Sequence, residues 1–340
     1  MRREFNILMC ISVFLCFLLV ATIITVNLKE TYSFSETQDT FRPIEPLNYN
    51  NNFDVSDFTG SEINTIDIAS KQYINGTINV LDSNFRISDE LIGKIMNSIN
   101  SYGAATAFYI VSLDDGMTIA YNVDKQFETA SSIKAPYALW IYKEIAAGNI
   151  DPEQVIEYQS YFYNKGTGIV KNSAPGTPYT VRDLVYYSLH ESDNVAHIML
   201  HKTFGVKGYN DMLGALGTKQ LYLTAGNPWA YTSCRSAALI WQDIYNFSLQ
   251  GNEGITFLNI LSNGKYNYYK EVMPTLASAS KTGFAFKDVL ETGIVFDKHP
   301  YIALAIANKG GNIGAYTQVL KFINFMNEIM QEYDTYLNSQ

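Results

Sequence analysis

The chain has 340 residues, 47% hydrophobic and 17% charged, with 33 acidic against 24 basic side chains and a net charge of −9. A chain this long and this apolar buries a full core, which excludes disorder for most of it. Its acid excess argues against a nucleic-acid partner.

Residues 5–28 carry no charged side chain and, as a helix, are long enough to cross a hydrocarbon core of about 30 Å. Arg2 and Arg3 precede them, while Lys29 and Glu30 cancel behind them. The positive-inside rule therefore puts residues 1–4 in the cytoplasm, a single-pass anchor at 5–28 in the cell membrane, and the rest outside. Secretion after signal cleavage is the alternative, disfavoured because no clear small-x-small site follows the apolar run. Cys10 and Cys16 fall inside the run, so Cys234 has no exported cysteine to pair with and reads as a buried small residue. Residues 29–84 are rich in Asn, Thr, Ser and Asp, include Pro43 and Pro46, and lack a sustained apolar period. They read as an extracytoplasmic tether, with a short strand within 73–81 able to dock on the domain behind it.

Residues 85–340 suit one domain. Ser88, Asp89 and Glu90 ahead of Leu91, Ile95 and Ile99 predict a helix. Strands are predicted over 105–113 and 117–122, joined by an Asp-Gly turn at Asp115 and Gly116, and a second helix over 131–147 with Gly148 as its C-cap. The middle reads as helices and loops, with helices over 181–190, 194–203, 206–216 and 233–249. Strands return over 277–286, 291–296 and 301–308, and an amphipathic helix over 313–336 closes the chain. The predicted class is α/β in the α+β sense: an antiparallel sheet flanked by helices, with an all-helical subdomain inserted in sequence.

Three motifs stand in order: Ser131-Ser132-Ile133-Lys134, Ser192-Asp193-Asn194 and Lys281-Thr282-Gly283. Ser131 and Lys134 lie three apart at a predicted helix start, so they share a face and the amine can reach the hydroxyl. A lysine acts as a base at neutral pH only when burial and a second cation lower its pKa, and Lys281 can be that cation. The helix start offers N–H groups to a developing oxyanion, with the Phe284 N–H as the other donor and Gly283 letting a substrate approach the strand. Lys281 and Thr282 suit a carboxylate grip, Ser192 a proton relay to a leaving nitrogen, and Asn194 a substrate amide. Asp193 reads as a turn-ordering Asx residue.

The order and context of these motifs resemble the class A β-lactamase group of penicillin-recognising serine hydrolases. Residues 127–130 ahead of Ser131, 176–184 ahead of Ser192, and 293–295 with 302–308 after Lys281 extend the likeness to a β-lactamase/D,D-peptidase-like fold. The resemblance implies Ser131 as nucleophile, Lys134 and Ser192 as the relay, Asn194 as a substrate ligand, and Lys281 and Thr282 as the carboxylate grip; together with the reading of the residues above, Ser131, Lys134, Ser192 and Lys281 are the expected catalytic residues and Asn194, Thr282, Gly283 and Phe284 the substrate-binding ones. It also implies a β-lactam or peptidoglycan-derived substrate of D-Ala-D-Ala type, with no cofactor and no metal. Fast-hydrolysing members activate water with an Ω-loop Glu, yet no acid lies between Asp211 and Asp243, where Gly226, Asn227, Pro228 and Trp229 stand instead. Slow deacylation follows, with Glu191, Glu253 and Glu271 as distant substitutes. The rivals are a D,D-carboxypeptidase or cell-wall esterase, and a non-catalytic β-lactam or muropeptide binding protein. His197 and His201, four apart, lack the intervening acid of a zinc motif. The tyrosines Tyr158, Tyr161 and Tyr163 read as filler, one of them a candidate cleft wall.

Overall fold

In the computed structural model the described residues are 66–309 and 313–340. The anchor expected at 5–28 and the tether up to residue 65 lie outside them. Among the described residues, no helix is long and apolar enough to cross a membrane.

The segment expected as tether ends earlier than residue 84. From residue 66 it packs on the domain: Ile68 is fully buried, the Gln242 side chain donates to the Ile66 carbonyl at 3.0 Å, and β1 (Asn79–Leu81) joins the sheet. Arg235 donates to the carbonyls of Ile68 at 2.9 Å and Lys71 at 2.7 Å. Its local polarity concealed this docking, because the group that holds it comes from a helix far along the chain.

Helix α1 (Asp89–Tyr102) starts where Ser88 Oγ accepts from the Leu91 N–H and stops at Gly103, whose φ of 67° closes it in the left-handed conformation. Strands β2 (Thr106–Ser112) and β3 (Thr118–Tyr121) form the expected hairpin, with Gly116 at φ 76° in the turn. After β4 (Phe127–Glu128) the predicted second helix divides into a 3-10 turn over Ala130–Ile133 and α2 (Lys134–Ala146). The turn is tight because Ser132 donates to the Thr129 carbonyl from both N–H (3.0 Å) and Oγ (2.7 Å). The helical region continues with the small ribbon β5 (Val155–Glu157) and β6 (Pro178–Thr180). Then come α3 (Val181–His190), α4 (Asn194–Phe204), α5 (Lys207–Ala215), β7 (Tyr231–Thr232) and α6 (Cys234–Ser248). Two further helices, α7 (Asn252–Ser262) and α8 (Tyr268–Val272), were not anticipated. Gly254 sits within α7 as a packing glycine, since a Cβ on it would lie 1.9 Å from the Phe247 carbonyl oxygen.

Strands β8 (Ala277–Phe284), β9 (Asp288–Phe296) and β10 (Tyr301–Asn308) make an antiparallel meander, and α9 (Ile313–Leu337) closes the chain. The six-stranded order is β1-β3-β2-β10-β9-β8, antiparallel throughout. Pairing β10 with β2 brings the two ends of the domain together and leaves β8, which carries the third motif, as an edge. Helices α1 and α9 cover one face, where Leu91, Ile95, Phe108, Phe322, Ile323 and Met326 form the core, each such side chain contributing about 1.5–3 kcal/mol. Helix α6 lies across β2 and β10 on the other face, and α7 and α8 contact β8.

Candidate active site

The three motifs meet where the 3-10 turn, the α3–α4 junction and the edge strand β8 converge. The tight turn sets Ser131 half-buried at the surface of the junction and leaves Lys134, the first residue of α2, wholly buried. Lys134 Nζ lies 2.9 Å from Ser131 Oγ, 3.4 Å from Ser192 Oγ and 2.7 Å from Asn194 Oδ1, and it donates to the Ser192 carbonyl. Burial drives its pKa well below the ordinary lysine value, the Lys281 cation pushes the same way, and Asp193 opposes them.

The α3–α4 turn presents its backbone to that amine. Ser192 sits at φ 55°, a left-handed conformation that costs an L-residue about 1–2 kcal/mol and turns its carbonyl toward Lys134. Asp193 holds the turn in this shape. Its Oδ1 caps α4 by accepting from Val195 (2.8 Å) and Ala196 (3.0 Å), while Oδ2 accepts from Ile169 (2.6 Å) and Val170 (2.8 Å). This bears out its reading as a turn-ordering residue and extends it across to a second loop. That loop fits because it carries glycines: a Cβ on Gly168 would meet the Asp193 carboxyl at 2.1 Å, and one on Gly166 would meet Asn194 Nδ2 at 2.1 Å. Asn194 Nδ2 donates to Asn164 Oδ1 at 3.0 Å, which orients its own Oδ1 toward Lys134. Asn164 was not singled out in the sequence, since a lone Asn in a loop carries no signal.

On β8, Lys281 is 2% exposed and donates to Ser192 Oγ at 3.0 Å, so Ser192 bridges the two lysines. Burial lowers the Lys281 pKa to about 8, and the nearby Glu291 carboxyl raises it in part. Thr282 pairs with Glu291 across the β8–β9 ladder, and the Phe284 side chain is exposed. Gly283 has a reason other than the one expected. The space of its missing Cβ is closed by the Thr129 carbonyl at 2.5 Å, so the glycine lets β8 pack on the serine turn rather than leaving a gap for substrate.

The three candidate water-activating acids are occupied elsewhere. Glu191 is bound to His190 at 3.1 Å and Lys265 at 2.9 Å, which bring its pKa down to about 2. Glu253 pairs with Arg182 at 3.2 Å, and Glu271 accepts from the Tyr316 hydroxyl. The imidazoles of His197 and His201 instead turn to carbonyls of the 221–230 segment. Among the described residues, no group of three or more His, Cys, Asp or Glu side chains gathers as metal ligands do. Trp229, from the segment lacking acids, lies with its ring 5.6 Å from Lys134 Nζ.

The model of the beta-lactamase enzyme family matches residues 90–329. Over 120 residues the chain is 31% identical to the beta-lactamase VEB-1 of Pseudomonas aeruginosa, a match covering 35% of this chain and 40% of that protein. The chain thus matches less than half the length of that curated relative. Among solved structures it is similar to a beta-lactamase from Sphaerobacter thermophilus (TM-score 0.63, 20% identity, covering 71% of this chain and 97% of that one). It is also similar to a mutant of PBP-A solved as an acyl-enzyme complex with penicillin G (TM-score 0.66, 18% identity, covering 73% and 98%). At those identities the likeness is one of fold, and the family model carries the assignment. The chain belongs to the beta-lactamase enzyme family.

Proposed function

We propose that this protein forms an acyl-enzyme on Ser131 with a carboxylate-bearing β-lactam or D-Ala-D-Ala-like amide and releases it slowly, working outside a membrane to which residues 5–28 anchor it. The observation that carries the reading is the hydrogen-bond inventory of Lys134. A neutral amine has two N–H donors and one lone pair. The Ser192 carbonyl and Asn194 Oδ1, both acceptors, use the two donors. The lone pair then faces Ser131 Oγ at 2.9 Å, ready to take its proton.

In the acylation step Ser131 Oγ attacks the amide carbon as its proton passes to Lys134. The N–H groups of Ser131 and Phe284 receive the developing oxyanion. The C–N bond then breaks, and the leaving nitrogen takes a proton through Ser192, which lies between Lys134 (3.4 Å) and Lys281 (3.0 Å). Lys281, cationic below about pH 8, grips the substrate carboxylate together with Thr282, and Asn194 holds its amide. Deacylation lacks an acid: residues 212–242 contain none, and Glu191, Glu253 and Glu271 are engaged elsewhere. That lack also favours a second reading, a D,D-carboxypeptidase or cell-wall esterase whose own substrate leaves without a Glu-activated water.

Intact-protein mass spectrometry of the full chain in detergent, incubated with benzylpenicillin, tests the reading beside Ser131→Ala and Lys134→Ala. The expected result is a long-lived adduct on the wild type and none on either variant. An adduct that persists in Ser131→Ala overturns the nucleophile, and normal acylation of Lys134→Ala overturns the base. Release of D-Ala from an acyl-D-Ala-D-Ala peptide distinguishes the carboxypeptidase reading.

A further inference from the structure

The segment 221–232 follows α5 at a distance of a few residues, passes α4 and runs into β7, and it is fastened at several points. Leu221 N–H donates to the Tyr231 carbonyl at 2.9 Å, closing the base of the loop, and Thr129 N–H donates to the Ala230 carbonyl at 3.0 Å, tying it to the serine turn. In the middle, His197 Nε2 lies 3.0 Å from the Pro228 carbonyl and His201 Nε2 lies 3.0 Å from the Thr224 carbonyl. The two imidazoles stand four apart on α4 and so share one face. Each Nδ1 is without a hydrogen-bond partner, and burial holds both rings neutral, His197 down to about 3. A neutral ring facing a carbonyl carries its proton on Nε2 and donates it.

These clamps set one side chain. Trp229 packs against the His197 ring at 5.4 Å between centroids, and its indole faces Lys134 Nζ at 5.6 Å. Lys134 has no exposed surface, and Ser131, Ser192 and Asn194 crowd its Nζ on the sides away from the indole. Hydrolysis of the acyl-enzyme needs a water at the acyl carbon with a base within reach of its proton, and Lys134 is the base nearest to Ser131.

We propose that Trp229, held by His197 and His201, is a water-excluding cover over the Lys134 side of Ser131 and thereby prolongs the acyl-enzyme. This rests on the reading of Ser131 as the acylated residue. Where the cover is removed, a water oxygen attacks the acyl carbon and its proton passes to Lys134. The ester bond to Ser131 then breaks, and Lys134 returns the proton to Ser131 Oγ. Trp229 acts by excluding water and positioning, and it touches no reacting atom in this scheme.

The test acylates the full chain with a fluorescent penicillin, removes excess reagent and follows loss of label from the preformed adduct, so that the acylation rate does not enter. Trp229→Ala is expected to shorten the adduct lifetime at least about tenfold. Trp229→Phe, which retains a flat apolar cover, is expected to restore most of it. His197→Phe, which keeps the ring and loses the donor, is expected to shorten the lifetime in the same direction. An unchanged lifetime in Trp229→Ala overturns the cover while leaving Ser131 acylation intact. Should that variant fail to acylate, the same measurement on Trp229→Leu decides, a shorter lifetime supporting the cover and an unchanged one overturning it. No Ser131-dependent label on the wild type overturns the acyl-enzyme reading and the cover with it.

Discussion

Replacing Glu291 by Gln should make the protein more stable at neutral and alkaline pH. Glu291 lies on β9, fully buried, opposite Thr282 and Ala305 in the sheet. Burial raises its pKa from 4.5 to about 8, with Ser280 and the Lys281 cation opposing. A carboxyl raised on folding stabilises the fold most below its unfolded pKa, and that contribution is lost as pH climbs through the folded one. The window is therefore pH 4.5 to about 8, and the full difference corresponds to roughly 5 kcal/mol at about 1.4 kcal/mol per pH unit. Gln keeps the shape and cannot ionise. Urea unfolding at pH 5 and pH 8 should show the variant's advantage over wild type growing by about 4 kcal/mol. Lys281 acts in the same direction: its lowered pKa makes stability rise with pH above about 8, and loss of the Glu291 carboxyl, which raises that pKa in part, starts the rise at lower pH in the variant. Wild-type and variant stabilities that run parallel from pH 5 to 8 would refute the reasoning, since they would mean that Glu291 ionises alike in folded and unfolded chains.

Three further outcomes are expected of the site. Acylation by a carboxylate-bearing β-lactam should decline above about pH 8 as Lys281 loses its proton, while an ester lacking the carboxylate keeps its rate longer; parallel pH profiles would remove Lys281 from the grip. Asp193→Ala strips the acceptor from four backbone N–H groups and should cost about 3–5 kcal/mol in urea unfolding, with loss of acylation; a cost near zero would show that the two loops do not depend on it. Gly283→Ala places a Cβ 2.5 Å from the Thr129 carbonyl and should cost about 1–3 kcal/mol and slow acylation, both read on one purified variant; full wild-type stability would mean that β8 and the serine turn separate freely.

Local sequence alone determined much of this protein. The helix after Ser88, the Asp-Gly hairpin, the strand over 301–308 and the helix over 181–190 each carry their own signal, because caps, turn residues and apolar periods act over a few neighbours. The three motifs are likewise legible, since Ser131 and Lys134 are joined by one helical turn and Asp193 by its own N-cap. What tertiary structure alone decided is whatever depends on partners distant in sequence. Arg235 takes in a segment that looked like tether, Phe247 requires the glycine at 254, and Thr129 claims the space of Gly283. Two histidines suited by spacing to a metal become clamps on a loop because Thr224 and Pro228 present carbonyls to them. Lys134 reads as a surface lysine when taken alone. Only burial among Ser131, Ser192, Asn194 and Trp229, brought together from separate parts of the chain, lowers its pKa well below the ordinary lysine value.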